Sequence, residues 1–404
     1  MVRLSVTAMI QARSLYLALV AALGIAAVMV SGGPAAPQAC KLAAANAAAA
    51  GKGCARAWMD ANLKLNDLVS VGSHNSYKTT IPPAVLAALR PSSQISLDYA
   101  HRPLTEELDA GARQIEIDVY YDPKGGRFSD PVRLREAHIA VDPAIRAGWA
   151  KPGFKVMHVP DTDVLSSCIL LTDCLQTIRK WSLAHRDHTP ILLMFNAKTD
   201  KSTAPGGTDA LPFDAAAFDA LDAEVRSVIP REALITPDDV QARYPTLRDA
   251  VLAGNWPTLG KARGKVLFAL DEAPEKVAIY RGARKSLQGR VFFINTDEAS
   301  PAAAYLTLND PIKEGERIRK DVAAGFIVRT RADADTREAR INDTSRREAA
   351  LKSGAQWVST DYLWPDARFP GGYQTRLGNG AATLCNPVRH PAACAGMPVE
   401  MAKP

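Results

Sequence analysis

Two histidines and two carboxylates have the types and spacing to move protons and hold a cation. His74 sits in Gly72-Ser73-His74-Asn75-Ser76-Tyr77 and His158 in Lys155-Val156-Met157-His158-Val159-Pro160-Asp161, each behind a short apolar run. Between them, Gln114-Ile115-Glu116-Ile117-Asp118-Val119 alternates with period two. In an extended strand that puts Glu116 and Asp118 on one face and Ile115, Ile117 and Val119 on the other. Like charges so placed repel unless a cation or a shared proton intervenes, and hard cations such as calcium and magnesium take oxygen ligands. A single histidine behind a strand is usually a satisfied structural residue. Two of them flanking a carboxylate pair make a candidate acid and base for proton transfer around a phosphoryl centre, where catalysis is mainly positioning and charge stabilisation. His101, His138, His185, His188 and His390 fall in expected helices, loops or the tail and are background, with His138 held in reserve.

Such groups need elements that bring them to one place. Eight short β-rich runs recur, at Leu68–Ser73, Gln114–Val119, Lys155–Val159, Ile191–Asn196, Lys265–Leu270, Arg290–Ile294, Gly325–Arg329 and Gln356–Thr360. Helix-like stretches such as Leu104–Ala112, Leu175–His185, Phe218–Val228 and Arg346–Lys352 lie between them, the last followed by a Gly354 suited to a helix C-terminus. Alternation of this kind predicts a parallel α/β sheet, and the count of eight predicts one (β/α)8 barrel of TIM type. In that fold chemistry is done at the C-terminal strand ends. Those ends carry His74 and Asn75, Glu116 and Asp118, His158, Asn196 and Lys198, Asp271, Asn295, Arg329 and Arg331, and Asp361, all polar.

The whole chain is consistent with such a domain. Its 404 residues are 47% hydrophobic and 23% charged, which excludes a disordered chain. Of the net charge of +6, two units come from Arg3 and Arg13, the only charged side chains in residues 1–39. The remaining excess is spread thinly, with no basic run, and excludes a nucleic-acid partner. Residues 1–39, with a Leu/Ala/Val-rich run from Leu15 to Val30 ahead of Ser31, Gly32, Gly33 and Pro34, read as a cleaved signal peptide, leaving no transmembrane segment in the mature protein. Cys40/Cys54, Cys168/Cys174 and Cys385/Cys394 form three sequence-local pairs, as expected of disulfides in a secreted or periplasmic protein. The expected layout is a 40–67 extension, a barrel over 68–375 and a 376–404 tail with a local disulfide, in a monomer.

The His-Asn-Ser-Tyr of 74–77, the Glu-x-Asp of 116–118, the Phe-Lys-Val-Met-His-Val-Pro-Asp of 154–161, Trp256-Pro257 followed by Arg263-Gly264-Lys265, and the Ser-Thr-Asp-Tyr of 359–362 resemble one family in order along the chain. That family is the bacterial calcium-dependent phosphatidylinositol-specific phospholipase C family. The resemblance implies a barrel, catalytic histidines at His74 and His158, and one calcium ion held by Asn75, Glu116 and Asp118. On the fourth strand the family pattern has an acidic residue where Phe195-Asn196-Ala197-Lys198 has Asn196, an amide that can still ligate calcium through its oxygen. The reaction implied is attack by an inositol hydroxyl on its own phosphodiester, at a membrane surface, giving diacylglycerol and a cyclic inositol phosphate. Lys198, Arg329 and Arg331 are candidate contacts for phosphate or inositol, and the two histidine roles are left unordered. A glycerophosphodiester phosphodiesterase is the nearest rival, although its first-strand motif continues His-Arg-Gly. A secreted headgroup-binding protein without turnover is a third reading, motivated by Asn196.

Overall fold

The computed structural model describes residues 39–403, so the expected signal peptide lies, but for its last residue, outside the described residues. Twelve strands form one curled sheet: β1 (Leu68–Ser73), β2 (Gln114–Tyr120), β3 (Lys155–Val156), β4 (Ile191–Ala197), β5 (Leu234–Ile235), β6 (Val266–Leu270), β7 (Phe292–Ile294), β8 (Tyr305–Thr307), β9 (Ile327–Arg331), β10 (Trp357–Thr360), β11 (Ala381–Cys385) and β12 (Glu400–Met401). Parallel pairing runs β7, β6, β4, β2, β1, β10, β9, β8. The ends of that run meet through a single parallel bridge between Asn295 and Tyr305, so the sheet curls as a TIM-type barrel does.

Among the described residues that run has eight parallel strands, with β5 a ninth beside β6, but one of the expected eight is replaced. Lys155–Val156 is only two residues long and pairs antiparallel with Val119 and Tyr120, as one arm of an excursion from β2. The missing member is Tyr305–Thr307, too short to stand out between Ala302-Ala303-Ala304 and Leu308. β5 was also unexpected, and it lies beside the first half of β6 while β7 lies beside the second.

The strands form because their residues fill both faces of a pleated surface. In β2 all seven residues are buried, Ile115, Ile117 and Val119 within the large apolar core and Glu116 and Asp118 on the opposite face. Tyr305 sends its hydroxyl across the interior to Met194 Sδ at 3.0 Å. On the outer face Phe195, Phe268 and Phe292 stack edge to face, and Tyr280 and Phe218 from flanking helices continue the layer. At Gly72 a Cβ would lie 2.2 Å from the Gln114 carbonyl, so the approach of β1 to β2 requires glycine there. The expected helices are present, at Leu104–Asp109, Leu171–Ala184, Ala215–Val228 and Ser345–Ser353, and the last ends on Gly354 in the left-handed conformation, φ 86°.

Strands β11 and β12 come from the tail. β11 pairs antiparallel with β1, Leu68 opposite Cys385, and closes the N-terminal end of the barrel. The disulfides Cys40–Cys54, Cys168–Cys174 and Cys385–Cys394 are all formed. Trp58, Met59 and Leu63 of the N-terminal extension pack with Leu259, Cys394 and Val399 beneath the barrel.

Candidate active site

The C-terminal strand ends converge as expected, and two of the side chains there are histidines braced in the same way. His74 follows β1, where Asn75 takes φ 51°, a conformation asparagine tolerates, and turns the chain out of the strand. His74 Nδ1 lies 2.7 Å from Asp361 Oδ1 and 3.2 Å from the Tyr99 hydroxyl, and its Nε2 faces Glu116 Oε1 at 3.6 Å and Arg331 at 3.4 Å. Burial and the nearby Arg331 push the imidazole down to about 3 against the pull of Asp361, so it is neutral at ordinary pH. With Nδ1–H donated to Asp361, the Nε2 lone pair is left facing the mouth.

His158 has a carboxylate at the same nitrogen: Nδ1 lies 2.9 Å from Asp163 Oδ2. Asp163 in turn receives buried Lys78 at 3.4 Å. The residue is carried not by a barrel strand but by a tight hairpin beyond β3, in which Val159 and Asp163 exchange backbone hydrogen bonds and Tyr120 donates to the His158 carbonyl at 2.9 Å.

The carboxylate pair lies between them. Glu116 Oε2 takes a 2.6 Å hydrogen bond from Arg329, yet burial pushes its carboxyl up to about 8. Asp118 is also raised by burial, opposed by Lys198 at 3.6 Å and by His158. Its Oδ1 is buried with no hydrogen-bond partner among the described residues. Asn196 is the register partner of Asp118 on the neighbouring strand and donates Nδ2 to the Asp271 carbonyl, which leaves its amide oxygen. Asn75 is buried and donates to Tyr99 at 2.8 Å, its own oxygen 3.5 Å from the Tyr77 hydroxyl. Among the described residues no three His, Cys, Asp or Glu side chains cluster as a metal site, so a cation here would need the amides as well as the acids. Two carboxylates, one of them with an unpartnered buried oxygen, and two amide oxygens are donors of the kind calcium takes.

The three cationic candidates are present but already engaged. Lys198 lies between Asp118 and Asp200, the latter at 3.3 Å. Arg329 holds Glu116, Ser359 and Asn309. Arg331 donates to Asp361 at 3.1 Å beside His74. His138 is exposed beyond the helix Val132–Glu136, and His101 is paired with Glu107 at 2.9 Å. In the sequence Asp361 and Asp271 stand out only as strand ends, and neither Asp163 nor Tyr99 is singled out. Asp163 does carry a usable signal, an acid five residues beyond His158 across a Pro-containing turn; Tyr99 carries none.

The sequence matches the family model described as phosphoinositide phospholipase C, Ca2+-dependent, over residues 63–387. Among solved structures, the apo form of a calcium-dependent phosphoinositol-specific phospholipase C from a Gram-negative Pseudomonas species is similar at 18% identity. The TM-score is 0.52, with 81% of this chain and 96% of that chain covered. A second crystal form of the apo protein gives a TM-score of 0.50 at the same identity, with 81% and 96% covered. A calcium-dependent phosphatidylinositol-specific phospholipase C from Streptomyces antibioticus is 17% identical, with a TM-score of 0.48 and 74% and 95% covered. At such identities the likeness is one of fold. No curated protein sequence matches.

Proposed function

Since the chain belongs to the calcium-dependent phosphoinositide phospholipase C family, and so is a phosphoric diester hydrolase, we propose that it cleaves the glycerol–phosphate bond of phosphatidylinositol, releasing diacylglycerol and cyclic inositol phosphate. The observation that carries this reading is the pair of histidines, each braced at Nδ1 by a carboxylate, on either side of Glu116 and Asp118. Family membership sets the glycerophosphodiester phosphodiesterase reading aside. The complete acid/base pair speaks against a binding protein without turnover.

His74 is the base in this mechanism. Its neutral imidazole accepts the proton of the attacking inositol hydroxyl at Nε2 while Asp361 holds Nδ1–H. Burial and the field of Arg331 both hold this base low; a phosphodiester anion against Arg331 offsets the second of these and so acts with the pull of Asp361 to make His74 a better base. His158 delivers the proton to the departing glycerol oxygen, with Asp163 stabilising the imidazolium beforehand. Arg329, Arg331 and Lys198 line the path of the phosphate and hold its charge. When bound by Asn75, Glu116, Asp118 and Asn196, calcium supplies neutralisation of phosphoryl charge and a more acidic attacking hydroxyl.

No helix among the described residues is long and apolar enough to cross a membrane. The three disulfides support an extracytoplasmic setting, secreted or periplasmic, for a monomeric enzyme that meets its lipid at a membrane surface. Phosphorus NMR of the products from phosphatidylinositol tests the reaction. A cyclic phosphodiester is expected as first product with calcium and no product in excess chelator. A linear monoester as first product, or full activity in chelator, would overturn the proposal.

A further inference from the structure

Beside His158, with neither Glu116 nor Asp118 in its wall, opens a cavity of about 590 Å³ that the mechanism above leaves without a role. Its walls are the helix Pro91–Ser96, Arg133 of the helix Val132–Glu136, and the hairpin 158–163. The hairpin is pinned to the helix Val132–Glu136. Asp161, at φ 63°, accepts from Val132 N at 3.0 Å and Thr208 N at 2.7 Å. Two residues that line the cavity carry donors unsatisfied among the described residues. Thr162 is 3% exposed with no partner for its hydroxyl, and Arg133 Nε is buried without an acceptor although Nη1 reaches Glu136 at 3.3 Å. Buried donors without acceptors are costly and call for an acceptor from elsewhere. No carboxylate lines the cavity; Leu89, Leu97 and Val159 form its apolar part, while Arg90, Ser93, Ser96 and Thr203 join Thr162, Arg133 and His158 as its polar part.

We infer that this cavity receives the leaving-group side of the substrate, the glycerol backbone with its two ester carbonyls, and that Thr162 and Arg133 determine specificity for it. Ester carbonyls only accept hydrogen bonds and sit on an apolar frame, which suits a wall that sets guanidinium and hydroxyl donors, and no carboxylate, beside Leu89, Leu97 and Val159. An inositol ring, rich in hydroxyl donors, would find no carboxylate here. The acyl chains then run along Leu89 and Leu97 towards Ile95, which is 44% exposed on the same helix. The location fits, because the glycerol oxygen is the atom that His158 protonates. The inference rests on the phospholipase reading.

The test compares three soluble substrates: short-chain diester phosphatidylinositol, its diether analogue without carbonyls, and glycerophosphoinositol without chains. The wild-type protein should favour the diester over the diether by about tenfold in kcat/KM, the effect of one to two hydrogen bonds. Thr162→Val, which removes the hydroxyl at constant shape, and Arg133→Met should each bring that ratio towards one while turnover of glycerophosphoinositol stays at the wild-type rate. Equal wild-type rates on diester and diether would overturn the inference. So would variants that slow all three substrates alike. Cyclic product from glycerophosphoinositol checks the phospholipase reading separately, and its absence from every substrate would overturn both.

Discussion

Two arginines, both almost wholly buried, sit at opposite ends of the barrel in opposite conditions. At the base, just before β2, Arg113 has every nitrogen satisfied: Nε and Nη2 meet Glu400, and Nη1 donates to the Leu108 and Ala112 carbonyls at 2.8 and 2.7 Å. Its guanidinium also lies over Trp181, and Glu400 takes two further bonds from Thr189. At the mouth Arg329 keeps an unpartnered Nε, as does Arg331, and burial raises the carboxyls of Glu116, beside Arg329, and of Asp118. Arg113 at the base is electrostatically complete, whereas the mouth has donors and acceptors that a cation and an anion would complete. In a barrel of this type the division is the expected one, stability below and chemistry above.

Mutations should therefore separate the two ends. The largest effect belongs to the mouth: His74→Ala and His158→Ala should each lower turnover of phosphatidylinositol by about 10²–10⁴ and move unfolding free energy by about 1 kcal/mol or less. Kinetics paired with denaturant melts reads both, and a His158→Ala protein of wild-type activity would remove the acid role from that residue. Glu400→Ala is the mirror image. It strips Arg113 of its charge partner and should cost about 3 kcal/mol of stability while the folded fraction keeps its kcat/KM. Lost activity without lost stability would show that the base is coupled to the chemistry.

The mouth's side of this contrast is legible in the sequence, for a physical reason. Period-two alternation over residues 114–119 shows which side chains share a face, so the amino-acid order alone pairs Glu116 with Asp118. The strand-end rule gathers residues from His74 to Asp361 into one place. Relations set by tertiary packing are not legible in this way. Asp361 braces His74 across 287 positions of sequence, and Tyr99 reaches Asn75 from a loop without regular structure. β8 escapes detection because three residues carry no periodicity, and Lys155–Val156 passes for a barrel strand because a buried apolar run looks the same there and in a hairpin arm. Arg113 and Glu400 give no signal at all, since their partnership depends on the tail returning beneath the barrel.

A smaller effect should appear in the pH dependence of stability. His188, 1% exposed at the base, donates Nδ1–H to the Thr189 carbonyl and accepts from Ser182 at 2.7 Å, and burial pushes it down to about 4. The unfolded chain takes up this proton near the ordinary value of about 6.5 and the folded protein only near 4. Stability from this group is therefore full above pH 6.5 and is lost as the pH falls to 4, by about 3 kcal/mol in all. His74 titrates in the same direction at the mouth, so the comparison needs a variant: His188→Gln should flatten this part of the profile in urea melts between pH 7.5 and 4. Parallel profiles for variant and wild type would show that the base does not respond to pH through His188.

The smallest expected effect lies at Asn196, where the mouth holds an amide. Its Nδ2 donates to the Asp271 carbonyl and its backbone pairs with Asp118, so Asn196→Asp keeps the shape, turns a donor into an acceptor facing a carbonyl, and adds negative charge beside Asp118. Without calcium the variant should be less stable, by about 1–2 kcal/mol for the lost bond and the new repulsion. With calcium the order reverses. A third carboxylate raises the charge of the donor set, affinity in oxygen-ligand sites follows ligand charge, and an ion that binds only the folded state stabilises it in proportion to the logarithm of its saturation. The variant should show a larger calcium-induced rise in melting temperature than the wild type and a several-fold lower calcium requirement for half-maximal activity. A lower melting temperature that calcium restores no better than in the wild type would mean that Asn196 serves only the Asp271 carbonyl, and that the cation draws on Asn75, Glu116 and Asp118 without it.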